Sequence, residues 1–226
     1  MSFIGYKMTH DSGFAPNPFH GYLTLATCKP SIRRTKRKGD WIAGFASKNL
    51  INNCIQNDFP APPYQGLIYL MRVGEKMPLD EYFEDPRFEV KKPVAQSSSQ
   101  IIRAGDNIYY LNRANAQPQW SQVPNENHGR EPETIEHDVS GINVLLASEE
   151  LEEFYYFGAN ALIPEGGWKS IGISMSNGRT FHMSELEVLP RILKWLDGQG
   201  FKPGKHGNPC MWEEKLASQQ FGCRHK

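Results

Sequence analysis

The run Lys29-Pro-Ser-Ile-Arg33-Arg34-Thr-Lys36-Arg37-Lys38 packs six cations into ten residues with no acid among them. Guanidinium groups meet phosphate oxygens in pairs, and ammonium groups meet them as point charges. A charge run also reads as a solvated loop. This one abuts a tryptophan-bearing apolar stretch, so Lys29, Arg33, Arg34, Lys36, Arg37 and Lys38 are assigned to contact with a phosphate backbone. Just upstream, Phe14-Ala-Pro-Asn17-Pro-Phe19-His20-Gly21 places two rings, an amide and an imidazole in one loop. One reading is an aromatic plug at the end of a barrel. The other is a pocket wall, with Phe14 and Phe19 against a base and Asn17 or His20 hydrogen-bonded to its edge. Prolines on both sides restrict the backbone of Asn17, which suits a fixed recognition group.

Catalytic patterns are sparser. The chain has no Gly-x-Ser-x-Gly, no P-loop, no His-Glu-x-x-His and no Gly-x-Gly-x-x-Gly. His128 and His137 lie in a polar stretch with Glu131 and Glu136, and Asp106 is a further carboxylate. Such a set could exchange protons, although histidines in polar loops are commonly solvated. His206, Cys210, Cys223 and His225 are zinc-ligand types, but the gap between the two cysteines fits no tight knuckle. Neither metal nor cofactor is expected, and the thiols are expected to be free, as in a reducing cytosol.

Positioning elements follow from local pattern. Phe3–Met8, Tyr22–Cys28 and Trp41–Ser47 are expected strands, and Gly66–Met77 is the strongest, its near-continuous apolar run suiting a centrally buried position. Pro78–Phe88 suggests a helical turn and a loop, and Asn107–Leu111 another strand. Residues 117–137 hold three prolines and many charges, as a surface excursion or a lid would. Val144–Ala147 precedes a helix expected over Ser148–Phe157, capped by Ser148. Ser176-Asn-Gly178 is a hairpin turn between Ile171–Met175 and Arg179–Met183. Ser184-Glu-Leu-Glu187 has the form of a capping box. It opens a helix whose face carries Leu186, Leu189, Ile192, Leu193 and Leu196, with a bend at Pro190.

At 226 residues the chain can bury a full core without a metal or disulfide. Lys plus Arg equals Asp plus Glu at 25 each, yet residues 1–38 hold seven bases against one acid, leaving the remainder correspondingly acidic. That asymmetry points to a polyanion-facing end. The first residues look unlike a signal peptide, and no apolar run reaches the length of a membrane span. A cytoplasmic protein is expected. Many strands with few helices exclude a doubly wound sheet and favour an α+β fold on a small mixed β-barrel. Its core spans residues 1–165, with 166–226 as a C-terminal hairpin, helix and tail on the same domain.

Several of these segments resemble a known family. Gly13-Phe-Ala-Pro-Asn-Pro-Phe-His-Gly21, Leu25-Ala-Thr-Cys-Lys-Pro30, Ile32-Arg-Arg34 and Gly39-Asp-Trp41 resemble the second type of nucleotide-modification-associated domain. So do Asp80-Glu-Tyr-Phe-Glu-Asp-Pro-Arg-Phe88, Gly105-Asp-Asn-Ile-Tyr109 and Tyr156-Phe-Gly158. The resemblance implies a protein encoded near DNA-base-modification systems of bacteria and phages, and brings no reaction with it. Gly39-Asp-Trp…Ser47 followed by Gly66–Val73 is also similar to EVE and PUA-like barrels, which bind modified bases in an aromatic pocket. On that likeness Trp41, Ser47 and Tyr109 join Phe14, Asn17, Phe19 and His20 as nucleotide-binding residues, although Trp41 also reads as core. The expected partner is nucleic acid, DNA above all, or a free nucleotide, with no membrane. The leading function is binding of a modified or flipped nucleotide. The alternatives are an enzyme acting on a nucleobase or nucleotide precursor, with 117–137 as its lid, and a subunit that docks a protein partner through the C-terminal helix. A His128 or His137 within hydrogen-bond reach of a carboxylate would favour the enzyme.

Overall fold

A computed structural model describes residues 1–114 and 117–212. Along the chain the strands are β1 (Phe3–Met8), β2 (Tyr22–Leu25), β3 (Trp41–Ala46), β4 (Leu67–Arg72), β5 (Glu75–Pro78), β6 (Tyr109–Asn112), β7 (Gln119–Gln122), β8 (Asn143–Ser148), β9 (Phe154–Tyr156), β10 (Thr180–Met183) and β11 (Gly204–Lys205). The helices are α1 (Pro30–Thr35), α2 (Lys48–Gln56), α3 (Leu79–Glu84), α4 (Gln100–Arg103), α5 (Pro132–Val139) and α6 (Val188–Gly198). The mixed α+β class expected from the sequence is present. The closed barrel is not: the described strands divide among three open sheets, in the orders β10-β1-β3-β4-β9-β11, β2-β8-β5 and β6-β7.

The chain forms two compact units whose segments interleave. One comprises Met1–Ser2, Gly13–Trp41 and Met71–Phe154; the other takes Phe3–Ser12, Ile42–Leu70 and the chain from Tyr155 onward. In the first unit, β8 sits between β2 and β5, antiparallel to both, with Thr24 opposite Leu146 and Met77 opposite Val144. Phe14, Ala26, Tyr82, Phe88, Ile108, Tyr109 and Val144 are part of one buried cluster there. In the second unit Leu189, Ile192 and Leu196 of α6 are buried. The Trp168 indole packs edge-on to Trp195 of α6, its ring centroid 5.4 Å away.

Three local expectations meet a different outcome. Gly66–Met77 is two strands in two sheets, broken at Gly74. A side chain at Gly74 would strike the Glu153 carboxylate at 1.9 Å, so a larger residue there would have to displace that carboxylate from the Ser148 N–H. Ser148–Phe157 forms no helix. Glu153 accepts from the Ser148 N–H at 2.9 Å and its own N–H returns to the Ser148 carbonyl at 3.0 Å, closing a turn that feeds Phe154-Tyr-Tyr156 into a strand. The Asn177-Gly178 turn does not close a local hairpin. β10 pairs instead with β1, Phe3 opposite Met183 and Tyr6 opposite Thr180. Ser184 accepts from the Glu187 N–H at 3.2 Å in the turn before the helix but does not cap it: the helix begins at Val188, after Glu187, with no side-chain cap. Pro190 therefore falls in the first turn, where no backbone donor is needed, and Leu186 is 88% exposed rather than on the inner face.

Candidate functional site

Cys28 and Lys29 both adopt left-handed backbone angles, φ 53° and 45°, immediately before α1. Residues other than glycine adopt this region uncommonly, and it persists where surrounding contacts enforce it. Here the Cys28 N–H donates to both Asp138 carboxylate oxygens at 3.0 and 3.1 Å, and the Cys28 carbonyl accepts from Arg33 Nε at 2.8 Å. Asp138 lies near the end of α5, so that helix and the turn before α1 are joined through one carboxylate.

Around that carboxylate three more groups gather. His128 Nε2 lies 3.0 Å from Asp138 Oδ2, and the Tyr109 hydroxyl donates to the same oxygen at 3.3 Å. Tyr109 Oη and His128 Nε2 are 2.8 Å apart. Phe14 covers the imidazole, ring centroids 5.3 Å apart. Cys28 Sγ, a His128 ring nitrogen and an Asp138 oxygen all lie within 4.8 Å of one another. Thiol, imidazole and carboxylate thus converge closely enough to hold a borderline-soft cation such as zinc.

The electrostatics follow from burial and neighbours. Burial alone would raise the Asp138 carboxyl, but the hydrogen bonds from His128 and the Cys28 N–H, with the charges of His128 and Arg33, hold it below the usual carboxylate range. It is ionised near neutral pH. Burial pushes the Cys28 thiol up to about 11, with the Asp138 charge adding to the effect, so the sulfur carries its proton near neutral pH. The Tyr109 phenol is likewise raised, by burial first and then by Asp138.

Gln122 completes the picture. It stands directly opposite Tyr109 in the β6–β7 pair, and cross-strand partners project from the same face. Both its amide oxygen and its amide nitrogen are buried without a hydrogen-bond partner among the described residues. Leaving such groups unmatched costs about 1–3 kcal/mol each, which a ligand with complementary edges would recover.

The residues singled out from sequence scatter. Phe14 and Tyr109 join the cluster. Asn17 is buried and already engaged: its amide donates to the Ala104 carbonyl at 2.9 Å and accepts from Lys91 Nζ at 2.6 Å. It belongs to a packed network in which Lys91 also donates to the Tyr22 carbonyl and Thr24 Oγ1, while Asp106 accepts from Thr24 and Tyr82. Burial lowers Lys91 to about 8 and raises Asp106. Asp106 is therefore part of the scaffold rather than a partner of His128. Phe19 is core, 5% exposed, while His20 is exposed at φ 59°. Trp41 is half-buried, and Ser47 caps α2 by accepting from the Leu50 N–H at 3.1 Å.

The basic run divides as well. Arg33 is wholly buried, donating to the carbonyls of Cys28, Asn143 and Asp138, so it does not face phosphate. Lys36 is turned inward onto Ser2 Oγ at 2.8 Å. Arg34, Arg37 and Lys38 point outward, and Lys29 occupies the left-handed cap of α1. His137 is exposed. Cys210 is buried in the second unit with its N–H on Asp11, and no described ligand triplet includes it. Cys223 and His225 lie outside the described residues. Among the described residues no helix is long and apolar enough to cross a membrane.

Fold and site together define an open-sheet α+β protein in which the first unit encloses a thiol, imidazole and carboxylate. The family model described as nucleotide modification associated domain 2 matches residues 2–216, and the chain belongs to that family. Membership ties it to nucleotide modification. No curated protein and no solved structure matches it significantly.

Proposed function

We propose that the first unit is an enzyme modifying a nucleobase or nucleotide, with Cys28, Tyr109, His128 and Asp138 as its reaction centre. The observation that carries this reading is the 3.0 Å contact between His128 Nε2 and the Asp138 carboxylate, inside a site that also holds a thiol. His128 exchanges a proton with the substrate, and ionised Asp138 orients the ring and stabilises its cationic form. Tyr109 fixes the second lone pair of that carboxylate oxygen. Cys28, protonated at rest, becomes a nucleophile only when His128 takes its proton. The thiolate then adds to an electrophilic ring carbon of the base, the displaced π pair is protonated by the His128 imidazolium, and reversal of that addition releases the thiol. Gln122 offers one acceptor and two donors to the edge of a base. Phe19, expected to stack on a bound base, is itself core, while Trp41 is half-buried.

The test is mass spectrometry of nucleotides and short DNA after incubation with the purified protein, with common group donors supplied in turn. A mass change in substrate, lost on His128→Ala and on Cys28→Ser, is the expected outcome. Retention of an unaltered nucleotide by wild type and both variants would return the site to a binding role. The convergence of three donor atoms favours one second reading, a metal that activates water in place of the thiol. One equivalent of zinc in the wild type, absent from both variants, would select it.

A further inference from the structure

A second site lies in the other unit, and it stands without the proposed reaction. Two clefts of about 320 and 450 Å³ open beside the first turn of α2 and share Thr9 and Asn49 in their walls. The first is walled by Lys7, Lys48 and Arg179 with the ring of Tyr64; the second by the amides of Asn52, Asn53 and Gln56 with His10. Neither wall contains an aspartate or glutamate. This segregation is notable in a chain whose charges balance. A cleft in the first unit shows the ordinary arrangement: Lys38, Lys76 and Arg87 share it with Glu75, Glu150 and Glu153, and Arg87 is paired to Glu75 at 3.0 Å.

Internal contacts hold the groups of the groove in place without neutralising them. Lys7 Nζ donates to the Asn177 carbonyl at 3.2 Å, and the Lys7 N–H donates to the Arg179 carbonyl at 2.9 Å. That fixes the 177–179 turn against β1. Lys48 Nζ sits 5.8 Å from the Tyr64 ring centroid, and the ring is 39% exposed. Asn53 Nδ2 reaches the Thr9 carbonyl at 2.9 Å and His10 Nε2 at 3.2 Å. Lys48 and Asn49 also open a nine-residue helix, whose positive end adds to the field. Cations for a backbone, amides for base edges and one exposed ring for stacking are the parts of a single-strand binding groove.

We infer that this groove binds single-stranded nucleic acid. The two clefts are adjacent, with Thr9 and Asn49 in both walls, which suits several nucleotides of a strand better than one phosphate ion. The probe is a fluorescein-labelled oligothymidylate, titrated by anisotropy into the full chain across a salt series, without turnover. Lys48→Ala and Arg179→Ala should each weaken binding and reduce the log–log salt slope by about 0.7. Tyr64→Ala should lower affinity roughly tenfold while keeping the slope. All three positions are exposed, and unchanged melting temperatures confirm intact folding. Slopes unchanged in both cation variants would remove the groove from the interface. Equal affinity for duplex, with no effect of Tyr64→Ala, would overturn the single-strand assignment. Failure of the reaction centre would leave every one of these results unaltered.

Discussion

Arg33 and Arg34 are neighbours in sequence and opposite in fate. Consecutive helical residues point about 100° apart, so a six-residue helix laid on a unit's surface must turn one of them inward. The inward one is held by three backbone carbonyls and stands 4.0 Å from Asp138, where it is wholly desolvated. Arg33→Met should therefore cost on the order of 3–5 kcal/mol of stability in urea unfolding, because three acceptors and a carboxylate lose their donor together. It should also impair the proposed reaction, since Cys28 and Asp138 are both positioned by it. Arg37→Ala, on the exposed side, should move stability by less than about 0.5 kcal/mol. A mild effect at Arg33 would show that the buried guanidinium is dispensable. The charge of the run was legible in its residue types, but the direction of each side chain was not, because direction depends on where α1 packs. For the same reason Cys28, Gln122 and Asp138 gave no signal. A lone thiol, a strand glutamine and a helix aspartate are common, and only the fold brings the thiol and the carboxylate together.

Elements were legible where a strand or helix announces itself locally. β1, β3 and β8 follow from their apolar runs. The errors share one cause, which is that pairing partners are chosen at long range. Asn177-Gly178 does make a turn, yet Thr180–Met183 finds its partner in β1, more than 170 residues earlier in the chain. The Ser148–Phe157 segment has helical glutamates, but three consecutive aromatics and a place in the sheet between β4 and β11 outweigh them. The expectation for α6 was sound in its period and wrong at its start. The difference is testable within one segment. Leu196→Ala, fully buried, should cost about 2–5 kcal/mol, whereas Leu186→Ala, almost fully exposed, should lie within about 0.5 kcal/mol of wild type. Equal costs at the two positions in chemical unfolding would mean that the helix begins where the capping pattern alone placed it.

At the scale of the molecule, the interleaving of segments decides what can be removed. A boundary near residue 165 looks natural in the sequence, since the family-like motifs thin out there and a turn-rich stretch follows. The second unit, however, draws on residues 3–12, 42–70 and the chain from 155, and its sheet runs through all three. Asp11 binds this arrangement near both ends of the chain: it accepts from the Tyr156 hydroxyl at 2.7 Å and from the Cys210 N–H at 3.0 Å. Trp212 donates to the Ser12 carbonyl at 2.8 Å. Cutting the chain after residue 165 would remove β10 from β1 and Cys210 from Asp11, and would delete the buried apolar residues of α6. It would also strip cover from Phe45, whose ring packs edge-on to Trp168 at 5.5 Å. A fragment of residues 1–165 should accordingly lose its cooperative thermal transition and its near-ultraviolet circular dichroism, and bind a dye for exposed apolar surface. A truncation after residue 212 should keep all three properties of the full chain, because every contact named above is retained. Cooperative unfolding of the shorter fragment at the wild-type temperature would show that the second unit is an appendage rather than a half of the fold.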